Sequence, residues 1–165
     1  MRAVHLIALA LVVAGCSQPD AYSVDGLMQT LREGDASARY GATDGLRAYG
    51  PDAKPAIGLL TDALQDKDGS VRVGAAYALA AIGPDAEPAL PRLIEATKAK
   101  DVELRLAAAY AVPMVGVRSS AALPAMQAAM RDPDQRVRAE AATGLRKLNL
   151  AARFRQAAIS PSESH

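Results

Sequence analysis

The chain has 165 residues, of which 19 are basic, 18 are acidic and one is a cysteine. This balance excludes a general nucleic-acid binder, which needs a basic surface, and a single cysteine excludes a disulfide within one chain. Only 4% of the residues are aromatic and tryptophan is absent, so we expect one domain whose core lacks bulky side chains.

The segment 1–15 is predicted to be an export signal. Arg2 precedes an apolar run from Leu6 to Val13, which is too short to span a bilayer. A charged start, a short apolar run and small residues are typical of a secretory signal. The sequence VAGC, which ends at Cys16, resembles the bacterial lipobox. This resemblance implies cleavage before Cys16 and lipidation of its sulfur; the alternative is an ordinary secretory signal with a chance cysteine.

Residues 16–23 are predicted to form a lipidated tether. The stretch from Ser17 to Ser23 reaches at most about 25 Å, so the domain should stay close to its membrane. Ser17, directly after the lipidated cysteine, resembles the signal that sorts lipoproteins to the outer membrane. We therefore expect a lipid-anchored location in the bacterial cell envelope, at the outer membrane and facing the periplasm.

The segment 24–149 repeats itself with a constant step of 33 in residue number. One aspartate, one arginine and one alanine recur in every copy, together with a leucine or valine and a glycine or asparagine. The columns are Asp35, Asp68, Asp101 and Asp134; Arg39, Arg72, Arg105 and Arg138; Ala42, Ala75, Ala108 and Ala141; Leu46, Leu79, Val112 and Leu145; and Gly50, Gly83, Gly116 and Asn149. Such a period indicates a solenoid, with repeats at 24–50, 51–83, 84–116 and 117–149.

Each repeat contains two helical patterns, and the second repeat shows both. Its arginine-bearing helix begins after Asp68 or Ser70, either of which can accept a backbone N–H bond, and ends at Gly83. The partner helix before it is expected over roughly 53–65. Apolar residues recur at helical spacing in the arginine-bearing helix: Val71, Ala75, Ala78, Leu79 and Ile82. No window alternates like a half-buried strand, so the sequence predicts an all-α fold whose core closes between stacked helix pairs.

The C-terminal segment 150–165 is predicted to be a capping helix followed by a frayed tail. Leu150 and Phe154 suggest that this helix covers the open end of the stack, with the single phenylalanine as its plug.

The segments DKDGSVRVGAAYALAAIG and DPDQRVRAEAATGLRKLN resemble HEAT repeats, in the short bacterial form often called HEAT-like or bilin-lyase-type repeats. The resemblance covers about 24–149 and implies a right-handed α-solenoid of about four helix pairs, with the arginine-bearing helices on the concave side. In that family the aspartate and arginine columns mostly form a polar ladder between repeats. The implied ladder comprises Asp35, Arg39, Asp68, Arg72, Asp101, Arg105, Asp134 and Arg138.

Two positions depart from this family pattern. Val117 stands where the earlier repeats have Pro51 and Pro84. Pro113 lies inside the third arginine-bearing helix, where it removes one helix bond and should bend or loosen the last turn.

Histidine is confined to His5 and His165, so the body of the chain lacks Ser-His-Asp and Cys-His nucleophiles and His-based zinc sites. Deoxyhypusine hydroxylase resembles this repeat type and binds iron through His-Glu pairs just after the repeat arginine. The equivalent slots are Tyr40-Gly41, Val73-Gly74, Leu106-Ala107 and Ala139-Glu140. Only Glu140 could ligate a metal, so we expect a non-enzymatic protein without metal or cofactor. The alternative is an enzyme of the HEAT-like lyase or hydroxylase type that has lost its metal ligands.

The face of the arginine-bearing helices opposite the core is a candidate binding surface. It is apolar and aromatic in the middle, and tyrosine suits interfaces because it offers a large contact area with a polar tip. We hypothesise a groove for a peptide or helix of another envelope protein. The alternative is that Tyr77 and Tyr110 pack half-buried between adjacent helices. The strip comprises Tyr40, Asp44, Arg47, Val73, Tyr77, Leu106, Tyr110, Thr143 and Arg146.

Two other modes of action stay open. The basic C-terminal end has 7 basic and 4 acidic residues from Arg131 to His165, against 9 basic and 12 acidic from Cys16 to Lys100. This end could attract an acidic partner or anionic lipid headgroups. An accessory lipoprotein could instead stabilise an assembly through its convex helices, which carry Lys54, Asp62, Glu95 and Lys98.

Overall fold

The computed structural model describes residues 20–159. The predicted signal 1–15, Cys16 with the start of the tether, and the tail from residue 160 lie outside the described residues. The helices are α1 (Val24–Glu33), α2 (Ala36–Tyr49), α3 (Ile57–Ala63), α4 (Gly69–Ile82), α5 (Leu90–Ala96), α6 (Val102–Val115), α7 (Ala122–Ala129) and α8 (Gln135–Ile159), and 3-10 turns span Gly50–Ala56 and Gly83–Ala89. No strand occurs within residues 20–159, and the predicted all-α solenoid is confirmed.

The described helices form two layers, which we call the A layer (α1, α3, α5, α7) and the B layer (α2, α4, α6, α8). Each B helix packs on its neighbours in the B layer and on the A helix of its own repeat. The main core lies between the layers, and its buried residues run from Leu27 to Leu148. The alanine column of the repeat is buried throughout: Ala42 is 1% exposed, and Ala75, Ala108 and Ala141 are 0% exposed. Small side chains therefore let each B helix approach its neighbours closely.

The junctions between the first three repeats are 3-10 turns, where the sequence predicts the start of an α-helix. The partner helix predicted over 53–65 opens with the 3-10 turn Gly50–Ala56, and its α-helical part begins only at Ile57. Gly50 and Gly83 have φ angles of 55° and 77°, which favour glycine, so the chain can reverse at these two points. Gly116 has a φ of −89°, and no such 3-10 turn follows it, in line with the departure at this junction.

Pro113 does not interrupt α6, which continues to Val115. Gly116 N–H closes the last turn by donating to Val112 O at 2.8 Å, so the predicted loosening of this turn is wrong. The proline is buried against α8, where a Cβ added to Gly144 would lie 3.0 Å from Pro113 Cγ. Packing between neighbouring helices therefore holds the turn in place despite the missing hydrogen bond.

Residues 150–159 are helical, but they continue α8 instead of forming a separate helix across the end of the stack. Phe154 is 68% exposed and Leu150 is 55% exposed, so the interpretation of the phenylalanine as a core plug is wrong. Arg155 donates to Val117 O and thereby holds the extension against the third junction. Within residues 20–159, no helix combines the length and the apolar character that crossing a membrane requires.

Candidate interaction surface

Two arginine–aspartate pairs join successive repeats. Arg39 Nε and Nη2 donate to the two carboxylate oxygens of Asp66 at 2.8 and 2.7 Å. Arg105 binds Asp132 in the same way at 2.8 and 3.1 Å. Both arginines also donate from Nη1 to carbonyl oxygens in the loop of their own repeat. Each guanidinium therefore ties a B helix to its own loop and to the loop of the next repeat.

Three of the four arginines of the predicted ladder join successive repeats, but two of these three bind acids outside the predicted aspartate column. The column aspartates sit at the N-caps of the B helices, where their carboxylates accept backbone N–H bonds. These caps are Asp35, Asp68, Asp101 and Asp134. Only Arg72 reaches a column aspartate in the next repeat, Asp101 at 3.3 Å. It does so because Ala99 stands at the place that Asp66 and Asp132 occupy in their repeats.

The paired guanidinium groups hold the pKa of Asp66 and Asp132 below the ordinary carboxyl value of 3.8, chiefly through their hydrogen bonds. The same hydrogen bonds raise the pKa of Arg39 and Arg105. Both pairs are therefore ionised at neutral pH. Their contribution to stability is complete above the ordinary carboxyl pKa and is lost as the pH falls through the lowered values.

Three tyrosines lie on the outward face of successive B helices, Tyr40 on α2, Tyr77 on α4 and Tyr110 on α6. Tyr40 is 48% exposed and Tyr110 is 36% exposed, whereas Tyr77 is half-buried and packs on the core. The ring centroids of Tyr77 and Tyr110 are 5.6 Å apart, and their planes are inclined at 55°. Burial is the main cause that raises the pKa of Tyr77 above its ordinary value of 10.0, so its hydroxyl is neutral. The two rings thus pack between adjacent helices while Tyr110 still presents a face to solvent.

The polar members of the predicted strip bind one another in two pairs, one on each side of these tyrosines. Arg47 pairs with Asp44 at 2.6 Å, and both side chains are more than half exposed. Arg146 donates to Thr143 Oγ1 at 3.0 Å. None of these four side chains is committed to the core, and a ligand can compete for them.

A shallow depression of about 530 Å³ extends from Tyr40 towards the N-terminal ends of the B helices. Asp101, Glu103 and Tyr40 are among the residues that line it. Arg136 bridges the N-terminal ends of α6 and α8 by binding Glu103 at 2.8 Å. The remaining lining residues are Gly69, Ser70 and Val73.

Sequence reasoning missed three residues of this surface. Lys147 Nζ lies 5.6 Å from the ring centroid of Tyr110, within cation–π range. Glu103 and Arg136 form the pair beside the depression. These two residues lie one full period apart and carry opposite charges, a signal that could have identified them from the sequence. We call the set Tyr40, Val73, Tyr77, Leu106 and Tyr110, with Glu103 and Lys147 at its borders, the tyrosine surface.

Within residues 20–159, no group of three or more histidine, cysteine, aspartate or glutamate side chains is placed to hold a metal ion. Glu140, which occupies one of the hydroxylase-type ligand slots, therefore belongs to no such group.

Solved structures similar to this chain are helical repeat proteins. Two engineered proteins match with TM-scores of 0.64 and 0.65 at 21% and 22% identity, over 78% and 77% of this chain. This chain spans 63% and 64% of their lengths. The complex of CpcE and CpcF of phycocyanin lyase from Nostoc sp. PCC7120 matches with a TM-score of 0.58 at 20% identity, over 88% of this chain and 73% of that chain. At these identities the similarity shows the fold alone.

Sequence comparison extends the same result. No curated protein matches the chain significantly. The family described as HEAT repeats matches residues 24–113 and 90–160, which together include every helix described above. The chain therefore belongs to the HEAT repeat family.

Proposed function

We propose that the chain is a non-enzymatic protein-interaction module that binds a peptide or helix of another envelope protein along the tyrosine surface. The carrying observation is that Tyr40 and Tyr110 stay substantially exposed on a rigid helical layer. Large aromatic rings dominate the energetics of many interfaces because they bury much area with few rotatable bonds. Here Tyr77 and Lys147 further restrict the ring of Tyr110, which lowers the entropy cost of binding.

The borders of the tyrosine surface indicate the chemistry of the ligand. Asp101 and Glu103 lie on the side of the depression, whereas Lys147 and Arg146 contribute positive charge near Tyr110 and Thr143. Among the described residues the two carboxylates are already paired with Arg72 and Arg136, so the unpaired charge at the borders is that of Lys147. A segment with an apolar or aromatic centre and an acidic end near Lys147 would complement this arrangement. Such charge complementarity would fix the direction of the bound segment more than it would raise affinity.

Crosslinking in living cells tests the binding proposal. A photoreactive residue at Ala139, an exposed position beside the tyrosine surface, is expected to capture the partner. Combining Tyr40→Ala with Tyr110→Ala should reduce the capture at least about tenfold, since interface tyrosines often contribute about 2 kcal/mol or more. Neither ring belongs to the buried core, so the helical circular dichroism spectrum should not change. Tyr22→Ala is the matched control, because Tyr22 is 82% exposed and lies outside the surface. Equal capture by the double variant and the control would contradict the proposal.

We further propose that lipid on Cys16 anchors this module at the outer membrane, facing the periplasm. The lipobox-like sequence and Ser17 support this, although both lie outside the described residues. Metabolic labelling with a fatty acid should mark the chain, and Cys16→Ser should abolish the label and prevent processing of the signal. A Ser23→Ala variant, which leaves the lipobox intact, is the control and should be labelled normally. Labelling that survives Cys16→Ser would rule out this anchor.

A further inference from the structure

The two ends of the solenoid carry unmatched halves of the ion pair that joins successive repeats. Arg39 and Arg105 each bind the acid that lies 27 residues ahead. Glu33 occupies the equivalent acid position in the first repeat, yet among the described residues its side chain bonds only Gln29, at 3.3 Å. Arg138 is the last repeat arginine, and its Nη1 donates to main-chain oxygens of its own loop at 2.7 and 2.8 Å. Within residues 20–159 no carboxylate forms an ion pair with it, whereas the other three repeat arginines each have one.

The helix-packing contacts show the same asymmetry. Thr43, Ala76 and Ala109 are fully buried because the following B helix covers them, whereas the equivalent Ala142 is partly exposed. On the receiving side, a Cβ on Gly74 would collide with Thr43, but at the equivalent Gly41 it would meet nothing within 4 Å. Each inner B helix packs on the B helix before it and on the one after it. The face of α8 that would pack on a following B helix and the face of α2 that would pack on a preceding one are thus both left open.

The repeat register makes these two open faces complementary. In a continued solenoid Arg138 would bind an acid 27 positions ahead, at position 165. This position lies four full periods of the repeat after Glu33. Ala142 would contact the glycine position of the following B helix, and this position also lies four full periods after Gly41. If a second copy continued the solenoid of the first, its Glu33 would therefore lie against Arg138 and its Gly41 against Ala142 in the same arrangement. The net charge supports this arrangement, since the N-terminal part up to Lys100 is acidic and the part from Arg131 is basic.

We infer that the chain assembles head to tail, with the uncovered face of the first half of α8 in one copy docking on α1 and α2 of a second copy. The docking face comprises Arg138, Ala142 and Leu145. The residues at the position of Leu145 in the earlier repeats are fully buried: Leu46, Leu79 and Val112. The receiving face comprises Glu33 and Gly41. This contact is heterologous, so each added copy leaves the same two faces open and the assembly lengthens with concentration.

Sedimentation velocity on the full chain, solubilised in a mild detergent under reducing conditions, tests the inference. The mean mass is expected to rise with protein concentration through species of two and more copies. Gly41→Leu should block this growth, because its side chain fills the space reserved for Ala142 while the monomer has room for it. Gly58→Leu is the matched control: Gly58 also has nothing within 4 Å, but it lies in the A layer, and this variant should assemble normally.

A charge exchange tests the register separately. Arg138→Glu and Glu33→Arg should each raise the dissociation constant at least about tenfold, because each places like charges in contact. The double exchange should restore assembly in the same chain. Glu33→Arg keeps the test valid even if the loop bonds of Arg138 prove necessary for folding. A mean mass that stays at the monomer value at all concentrations would overturn the inference. A closed dimer that forms equally well with Gly41→Leu would also overturn it. So would an Arg138→Glu variant that loses only its binding to anionic vesicles.

Discussion

Replacing Gly74 with alanine is expected to lower the free energy of unfolding by about 2–3 kcal/mol. Gly74 is buried where α4 meets α2, and an added Cβ would lie 2.1 Å from Thr43 Oγ1 and 3.0 Å from Thr43 Cβ. The threonine has no free space to enter, because its side chain is fully buried and its hydroxyl donates to Tyr40 O. Chemical denaturation followed by circular dichroism measures the loss.

Gly41→Ala is the matched control, since Gly41 holds the same position one repeat earlier. It lies inside α2 with nothing within 4 Å of an added Cβ. At low protein concentration this substitution should raise the free energy of unfolding by about 0.5–1 kcal/mol, the usual gain for alanine over glycine inside a helix. A similar destabilisation by both substitutions would mean that the contact between α2 and α4 is not what requires glycine.

The second repeat boundary suggests a rescue for the Gly74 variant. Ala76 and Ala107 occupy there the positions that Thr43 and Gly74 occupy at the first boundary, and both alanines are fully buried. Combining Thr43→Ala with Gly74→Ala would reproduce that pairing and should recover most of the lost stability. A double variant as unstable as Gly74→Ala alone would place the strain elsewhere in α4.

The repeat architecture was predictable because the same physical requirement recurs in every period of the sequence. Each copy needs a cap, a small residue facing its neighbour and an arginine between the loops. The acid partners were not predictable from that periodicity, since their column is irregular: it holds Glu33, Asp66, Ala99 and Asp132. The aspartate column is regular, and it was therefore predicted to supply the acid partners. Its position one helical turn before the arginine is, however, that of a helix cap.

The tyrosine surface was predictable only in part. Helical spacing placed Tyr77 and Tyr110 on one face, but it could not show that the rings touch, because that depends on the angle between neighbouring helices. Lys147 was missed because it lies next to the predicted strip, directly after Arg146, and reaches Tyr110 across the gap between α6 and α8. Phe154 was misread because an apolar residue after the last repeat looks like a cap, whereas α8 simply continues past the core.

Replacing Arg105 with alanine is expected to lower the free energy of unfolding at neutral pH by about 2–3 kcal/mol. The variant loses two charge-assisted bonds to Asp132 and leaves this carboxylate, which is only 6% exposed, without its counter-ion. Lys54→Ala is the control, because Lys54 also bridges two repeats by binding Asp85 at 2.6 Å, but both side chains are about half exposed. That substitution should cost less than about 1 kcal/mol.

The pH dependence separates the loss of this ion pair from a mere loss of packing. In the unaltered chain the pKa of Asp132 lies below its ordinary value of 3.8, so the pair's contribution is complete above that pH and declines as the pH falls further. Without Arg105, burial disfavours the ionised carboxylate, and protonation relieves the cost. The gap in unfolding free energy between the two proteins should therefore narrow as the pH is lowered through 3.8. Because Asp66 keeps its partner in both proteins, its own titration cancels from the difference. A gap that stays constant down to the acid transition would show that Arg105 acts through the packing of its side chain alone.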